Sequence, residues 1–272
     1  MKDSSANAGR NHLIDAYRGL TMISMILYHS CYDYFVALKH SYDFITTRGA
    51  YLWQQSICIS FILVSGMVWQ AGKKHALKRG LILIALGCGI TLVTVLFMPS
   101  ESIYYGILTF MGIATLFMIV YDKAAGCFRT ADVSGNNEKT GSNKCRRLPA
   151  GLVHIIICLI LFALTKHLPN GYIGTRFHPL MKFPESLYRY PHLAVLGLPS
   201  AGFSSADYFP VIPWIFMYII GYHLGNLLFD NETFKRLGSH RIPFLSWLGT
   251  KSLPVYIIHQ PVCYGIIWLI CR

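Results

Sequence analysis

The chain has 272 residues, of which 54% are hydrophobic and only 13% are charged. Soluble domains average roughly 25% charged residues, so sparse charge with long apolar runs excludes an ordinary soluble protein and indicates a polytopic protein in a lipid bilayer. The net charge of +12 would suit nucleic acid, but the basic residues lie in loops between apolar segments. That distribution is the positive-inside pattern of membrane proteins, so we expect no nucleic-acid partner.

The apolar runs predict an all-α polytopic membrane protein with about seven transmembrane helices in one bundle, forming a single domain over residues 1–272. The predicted spans are 13–36, 50–71, 79–98, 103–121, 150–166, 209–229 and 252–271. A flexible cytoplasmic loop is expected at about 122–149, and a long outer loop at about 167–208. Most of the 24 Lys and Arg residues are cytoplasmic if the N-terminus is inside and the C-terminus outside.

The first predicted span combines membrane length with four ionisable side chains, Asp15, Arg18, His29 and Asp33. At about 100° per residue, all four fall on one side of a helix. Charged groups are costly in a membrane, so this stripe is expected to face the protein interior or a watery cavity. It indicates either a buried track ending in a reactive imidazole, or only an Asp15–Arg18 ion pair and an interfacial histidine.

The turn after the second span, QAGKKHALKRG, is strongly basic. Lys and Arg bind phosphate oxygens through charge-assisted hydrogen bonds, so this turn predicts part of a phosphate site. The alternative is a plain cytoplasmic anchor of the positive-inside type. The residues concerned are Lys73, Lys74, Lys78 and Arg79.

The outer loop is rich in proline, histidine and aromatic residues. A loop of this length usually has a function, and a carbohydrate is a natural ligand outside the membrane. No two of its histidines have metal-ligand spacing, so we expect no metal site.

In the last span, the polar pair His259-Gln260 stands beside Pro261. This pair is either a packing contact between helices or part of a site lining.

Four residues are therefore candidates for catalysis: His29, His259, Asp33 and Asp207. Asp33 follows His29 by four residues and would orient its ring or stabilise its charged form, and Asp207 would do the same from the start of the sixth span. A histidine held in this way can deprotonate an acceptor hydroxyl or amine, or carry a transferred group itself. Sequence spacing does not rank the four residues.

Seven motifs in order along the chain resemble the heparan-alpha-glucosaminide N-acetyltransferase catalytic-domain family. They are RNHLIDAYRGLTMISMILYH (10–29), FILVSG (61–66), KRGL (78–81), YGILTFMGIA (105–114), DYFPVIPW (207–214), GYHLG (221–225) and LGTKSLPVYIIHQP (248–261). The opening motif is also similar, more loosely, to membrane sugar O-acyltransferases. The pattern departs at Thr109, where the family often has histidine. We also expect no counterpart of the luminal domain of the animal lysosomal enzyme.

The resemblance implies a transmembrane acetyltransferase that takes acetyl from cytosolic acetyl-CoA and delivers it to an extracytoplasmic sugar amine or hydroxyl. His29 is then the general base or the acetyl carrier. The expected CoA-binding residues, at the inner end, are Arg10, Asp15, Arg18, Lys73, Lys74, Lys78 and Arg79. The size of the chain suggests a bacterial inner membrane, and a homo-oligomer is compatible with the sequence.

Two other functions suit the same polar stripe. A transporter of small molecules or lipid-linked sugars would use it as a substrate or proton path, although the sequence shows no inverted repeat of the kind found in many transporters. A structural membrane subunit without a functional site is the remaining alternative. The stripe argues against it, because charged groups are costly to bury in a membrane and such a subunit would not need them.

Overall fold

A computed structural model describes residues 11–37, 43–135, 150–175 and 178–271, and within them the protein is mainly helical. The helices of eight or more residues are α1 His12–Tyr32, α2 Arg48–Met67, α3 Ala76–Phe97, α4 Ile107–Gly135, α5 Ala150–Thr165, α6 Val211–Leu228, α7 Glu232–Ser239, α8 Pro243–Thr250 and α9 Ser252–Ile270. The all-α polytopic fold class is confirmed.

Short elements connect these helices. They include a π-helical turn at Asp33–Ala37, α-helical turns at Asp43–Thr46 and Trp69–Gly72, and 3-10 turns at Lys73–His75, Pro99–Glu101, Leu168–Asn170, Glu185–Arg189 and Pro191–Leu196. The long segment between α5 and α6 also contains a small antiparallel hairpin, β1 Tyr172–Gly174 and β2 Pro179–Lys182. Tyr172 pairs with Lys182 and Ile173 with Met181, and the register shifts before Gly174.

Six helical segments of the described residues are long and apolar enough to cross a membrane. They are Arg48–Met67, Trp69–Phe97, Ile107–Ala125, Ala150–Asn170, Val211–Leu228 and Ser252–Ile270. The chain is therefore an integral membrane protein. The first predicted span forms α1, whose 21 residues give roughly 30 Å of length, but its ionisable residues make it less apolar than these six. The expectation of about seven spans therefore depends on α1.

Two helical boundaries differ from the sequence-based expectation. Helix α4 continues to Gly135, so the polar segment expected from residue 122 begins as helix. Loss of hydrophobicity does not end a helix by itself, and residues 122–135 include several alanines and no proline. Residues 136–149 lie outside the described residues. The segment between α6 and α9 forms two further short helices, α7 and α8.

The described residues form two compact units, and the single domain expected over the whole chain stays a prediction. The first unit comprises those of Met1–Ser65 and Gly225–Arg272, and the second those of Gly66–Leu224. The first unit thus contains α1, α7, α8, α9 and most of α2. The second contains α3, α4, α5, the hairpin and most of α6.

Helix α1 of the first unit begins at Asn11, whose side chain accepts hydrogen bonds from the backbone N–H groups of Leu13 and Ile14. Its first half packs closely against α8. A Cβ atom added at Gly249 would overlap the carbonyl oxygen of Asp15, and one at Gly19 would overlap that of Leu245. Only glycine permits two helix backbones to approach this closely. Helix α1, which carries the ionisable side chains, is therefore fixed against α8.

The other half of α1 is held by an aromatic contact with α2. Tyr28, which is buried, packs edge to face on Trp53 with ring centroids 5.5 Å apart. The indole Nε1 of Trp53 donates a hydrogen bond to Ser24 Oγ at 2.8 Å. Since His29 follows Tyr28 directly, these contacts fix the turn that carries the imidazole.

In the second unit, small residues allow α3 and α4 to pack closely. A Cβ atom added at Gly112 would overlap Ile84 and the carbonyl oxygen of Gly80. Thr109, at the position where the sequence departs from the family pattern, lies directly against Gly87 of α3. A larger imidazole at position 109 would therefore not fit this helix contact without displacing α3.

Candidate active site

The first unit brings His29 and His259 into direct contact. Their ring centroids are 4.9 Å apart and the rings meet at 66°. His29 lies in the last turn of α1, and His259 is buried on α9. The two histidines are 230 residues apart in sequence, so their contact is a product of the tertiary fold.

Asp33 joins this pair through Gln260, the neighbour of His259 that the sequence indicated either as a packing contact or as part of a site lining. Asp33 begins the π-helical turn after α1 and is only 1% exposed. The amide Nε2 of Gln260 donates a hydrogen bond to Asp33 Oδ1 at 2.9 Å. The His259-Gln260 pair thus contacts the two polar residues at the end of α1. We name His29, Asp33, His259 and Gln260 the histidine cluster.

The backbone of α9 determines which nitrogen of His259 carries a proton. His259 Nδ1 lies 2.5 Å from the carbonyl oxygen of Tyr256. A carbonyl oxygen only accepts, so Nδ1 must donate its N–H to it. In the neutral ring the lone pair is therefore on Nε2.

Three buried polar atoms of the histidine cluster have no hydrogen-bond partner among the described residues: Asp33 Oδ2, His259 Nε2 and Gln260 Oε1. With the Gln260 amide donating to Asp33, Gln260 Oε1 and His259 Nε2 are acceptors, and Asp33 Oδ2 is an acceptor when the carboxyl is ionised. An unpaired buried polar group costs about 1–3 kcal/mol, so such groups are rare unless a ligand or water satisfies them. The cluster is suited to a ligand that presents several N–H or O–H donors.

Asp207, the fourth predicted catalytic residue, belongs to the second unit. Its Oδ2 accepts a hydrogen bond from the backbone N–H of Ile107 at 3.1 Å, at the start of α4. Burial raises the pKa of its carboxyl to about 6, and the Ile107 hydrogen bond opposes that rise. Asp207 therefore caps α4, and its predicted role beside His29 stays a prediction.

The predicted CoA-binding residues lie in different surroundings. Arg10 is outside the described residues. Asp15 is buried where α1 packs on α8, and Arg18 is partly exposed on α1. Lys74 and Lys78 are exposed.

Two basic residues of the turn are already in contact with other side chains. The Arg79 guanidinium lies 5.9 Å from the ring centroid of Trp69, a cation–π contact. Lys73 pairs with Asp122 Oδ2 at 2.5 Å. A phosphate group would have to compete with that carboxylate for Lys73.

Asp122 is a buried anion that sequence reasoning placed in a flexible loop. It is 7% exposed, whereas its partner Lys73 is 54% exposed. Asp122 Oδ1 also accepts hydrogen bonds from Tyr222 Oη at 2.6 Å and from Gln70 Nε2 at 3.0 Å. We name these four residues the Asp122 network. A lone Asp at the end of an apolar run, facing a basic turn, is the signal that could have indicated it.

A second polar group, also absent from the sequence-based candidates, joins α4, α5 and α6. The Tyr121 hydroxyl and His223 Nε2 are 2.8 Å apart. The ring of His223 stacks on that of His154, with centroids 4.7 Å apart. His154 Nδ1 donates to the carbonyl oxygen of Ala150 at 2.7 Å. This arrangement ties the three helices together.

The fold and the histidine cluster define an integral membrane protein with a buried site suited to proton or group transfer. The chain matches the family model described as "Heparan-alpha-glucosaminide N-acetyltransferase, catalytic" over residues 10–128 and 148–261. The protein belongs to this family, which makes it an acetyltransferase-type enzyme and confirms the resemblance in the sequence motifs. The matched residues include the whole histidine cluster. No curated protein and no solved structure matches the chain significantly.

Proposed function

We propose that this protein transfers acetyl from cytosolic acetyl-CoA to an amine or hydroxyl of a sugar on the other side of the membrane. One observation supports this proposal above the others. Two histidines and a carboxylate, predicted from separate motifs, meet in one buried cluster that leaves acceptor atoms unpaired. Such a cluster can hold the donor hydrogens of an acceptor group and remove one of them.

Two routes are chemically balanced. In direct transfer, the acceptor nitrogen or oxygen attacks the thioester carbonyl carbon and the C–S bond breaks. An imidazole takes the acceptor's proton and returns it to the CoA thiolate. In the carrier route, a nitrogen of His29 first receives the acetyl group and CoA leaves as the thiol. The acceptor then attacks the acetyl-imidazole, and the freed ring regains its proton.

The acetyl donor explains the basic inner residues. CoA carries several phosphate charges, which Lys and Arg bind through charge-assisted hydrogen bonds. Lys74 and Lys78 are exposed, and Arg79 is held against Trp69. We assign the phosphates to this turn, with Lys73 able to exchange Asp122 for a phosphate oxygen. Arg10, Asp15 and Arg18 stay predicted CoA-binding residues.

The positive-inside pattern supports a cytoplasmic N-terminus and an outer C-terminus. With this orientation, acetyl-CoA binds at the cytoplasmic ends of the spans, and the proposed carbohydrate acceptor binds on the outer side of the membrane. A bacterial inner membrane suits this arrangement.

The test uses the purified full chain in detergent or nanodiscs, radiolabelled acetyl-CoA, and a panel of amino sugars and neutral sugars. Wild-type protein should acetylate at least one sugar. His29→Ala should lower the rate by about 100-fold or more, because it removes an imidazole of the histidine cluster that is proposed to contact the reacting groups. His240→Ala, an exposed histidine between α7 and α8, is the matched control and should retain the wild-type rate.

Two results would contradict the proposed function. The first is the absence of acetyl transfer by the wild-type protein to any sugar of the panel. The second is a full rate with His29→Ala. Sugar uptake by proteoliposomes without acetyl-CoA would instead support the transporter alternative.

A further inference from the structure

We propose that His259, rather than His29, is the base that takes the proton of the acceptor. This inference rests on the proposed function and assigns the roles within the histidine cluster. It follows from the one hydrogen bond that fixes the His259 ring.

The first step concerns the tautomer. The Tyr256 carbonyl accepts from His259 Nδ1, one turn earlier on the same helix. Because both groups belong to α9, this bond forms with the helix and holds the ring in one rotamer. A base must present a lone pair to the proton that it removes, and the Tyr256 carbonyl leaves that lone pair on Nε2.

The second step concerns the surroundings of Nε2. His259 is 8% exposed and Nε2 has no hydrogen-bond partner among the described residues. The other two unpaired atoms, Asp33 Oδ2 and Gln260 Oε1, are acceptors as well. A group with two or three donor hydrogens, such as a primary amine or a hydroxyl with a bound water, satisfies this set. Asp33 and Gln260 then hold the acceptor while His259 removes its proton.

The third step is the role of Gln260. Its amide uses Nε2 to bind Asp33 Oδ1, which directs its own Oε1 and the second carboxylate oxygen away from that bond. Gln260 is thus a positioning residue for Asp33. His29, which is partly exposed and touches the His259 ring, is left to contact the thioester.

The reaction balances without a further reactant. The acceptor N–H or O–H proton passes to His259 Nε2 as the new bond to the acetyl carbon forms. The C–S bond then breaks, and the thiolate takes the proton from Nε2. His259 returns to its neutral Nδ1–H form, still bound to Tyr256.

The main test compares His259→Asn with His29→Asn. An Asn side chain places an amide N–H near the position of Nδ1, so it keeps a donor for the Tyr256 carbonyl and removes only Nε2. His259→Asn should lower kcat by about 100-fold or more while acetyl-CoA binding stays within twofold of wild type. Its pH–rate profile should lack the inflection that the His259 imidazole gives wild type, whereas a variant with only a structural defect would keep that inflection.

A second measurement avoids the variants. In wild-type protein with ¹⁵N-labelled histidine, the nitrogen shifts of His259 should show the Nδ1–H tautomer, with His259→Asn serving for assignment. An Nε2–H tautomer would overturn the proposal, and so would a wild-type rate in His259→Asn. Absence of any transfer by wild type would overturn the proposed function itself, and this inference with it.

Discussion

The two carboxylates among the predicted catalytic residues have different surroundings. Asp33, which is 1% exposed, receives one hydrogen bond from Gln260 and keeps an unpaired oxygen. Asp207 receives a backbone hydrogen bond at the start of α4. The first arrangement leaves a group ready for a ligand, and the second satisfies the end of a helix. We therefore expect substitution of Asp207 to change stability more than chemistry.

The raised pKa of Asp207 gives a pH-dependent prediction. Its folded-state pKa is about 6, above the ordinary value of 3.8. The folded state therefore holds this proton more tightly than the unfolded chain, and the resulting stabilisation is lost as pH rises through about 6. Asp207→Asn keeps an oxygen for Ile107 but does not ionise. From pH 5 to pH 8, wild type should lose about 1 kcal/mol of unfolding free energy relative to this variant.

The measurement is the thermal unfolding midpoint in detergent at both pH values. Asp230→Asn changes an exposed aspartate and serves as the control. Wild type and the control should respond to pH alike. If the unfolding midpoint of Asp207→Asn changed with pH as much as that of wild type, the carboxyl of Asp207 would not have a raised pKa.

The sequence could indicate His29, His259 and Asp33 because ionisable residues are rare within long apolar runs. Where such a residue occurs in a membrane, it usually has a function. It could not indicate Gln260 as the partner of Asp33, since that contact joins α1 and α9 across 227 residues. The tautomer of His259 was equally inaccessible, because it depends on the distance between a ring nitrogen and one carbonyl. Residue types therefore predicted the candidates, while their pairing needed coordinates.

At the scale of helices, hydrophobicity predicted the apolar spans well and the polar helices poorly. The fifth and last predicted spans agree with α5 and α9 within a residue or two. The polar extension of α4 and the polar helix α7 lie where hydropathy falls, and α8 is apolar but only eight residues long. Backbone propensity and capping continue to act there: Asn231 caps α7 by accepting from Phe234 N–H, and Pro243 lies in the first turn of α8.

The Asp122 network gives a prediction at this scale because it ties α4 and α6 to the basic turn. Asp122→Ala would leave Tyr222 and Gln70 without this acceptor and Lys73 without its partner. Breaking a fully buried pair costs about 3–5 kcal/mol, but Lys73 is 54% exposed. We therefore expect a loss of about 2 kcal/mol, with about 1 kcal/mol for Tyr222→Phe, which removes one hydrogen bond.

Thermal unfolding of the purified variants measures these losses. Lys123→Ala alters the exposed neighbour of Asp122 on α4 and should change stability by less than about 0.5 kcal/mol. Equal effects of Asp122→Ala and Lys123→Ala would mean that the network adds nothing to the folded state. A tighter apparent affinity for CoA in Asp122→Ala would further indicate that Lys73 had been released for phosphate.

For the whole molecule, the charge distribution predicts the orientation in the membrane. If α1 crosses as well as the six apolar helices, the number of crossings is odd and the two termini lie on opposite sides. Cytoplasmic Lys and Arg then outnumber those outside, and this bias determines orientation in bacterial membranes. If α1 did not cross, both termini would lie on one side, and His29 would not reach the outer half of the bilayer.

Reporter fusions in a bacterial host decide between these arrangements. Alkaline phosphatase, which is active outside the cytoplasm, should be active at the C-terminus and inactive when inserted at residue 140. Green fluorescent protein should give the reverse pattern at the same two positions, so each site has its own internal control. The N-terminus should behave like residue 140, because the proposed orientation puts Asp15 and Arg18 at the cytoplasmic end of α1 and the histidine cluster at its outer end. A fluorescent C-terminal fusion would mean that α1 lies along the membrane, and acetyl could then not be carried across on this helix.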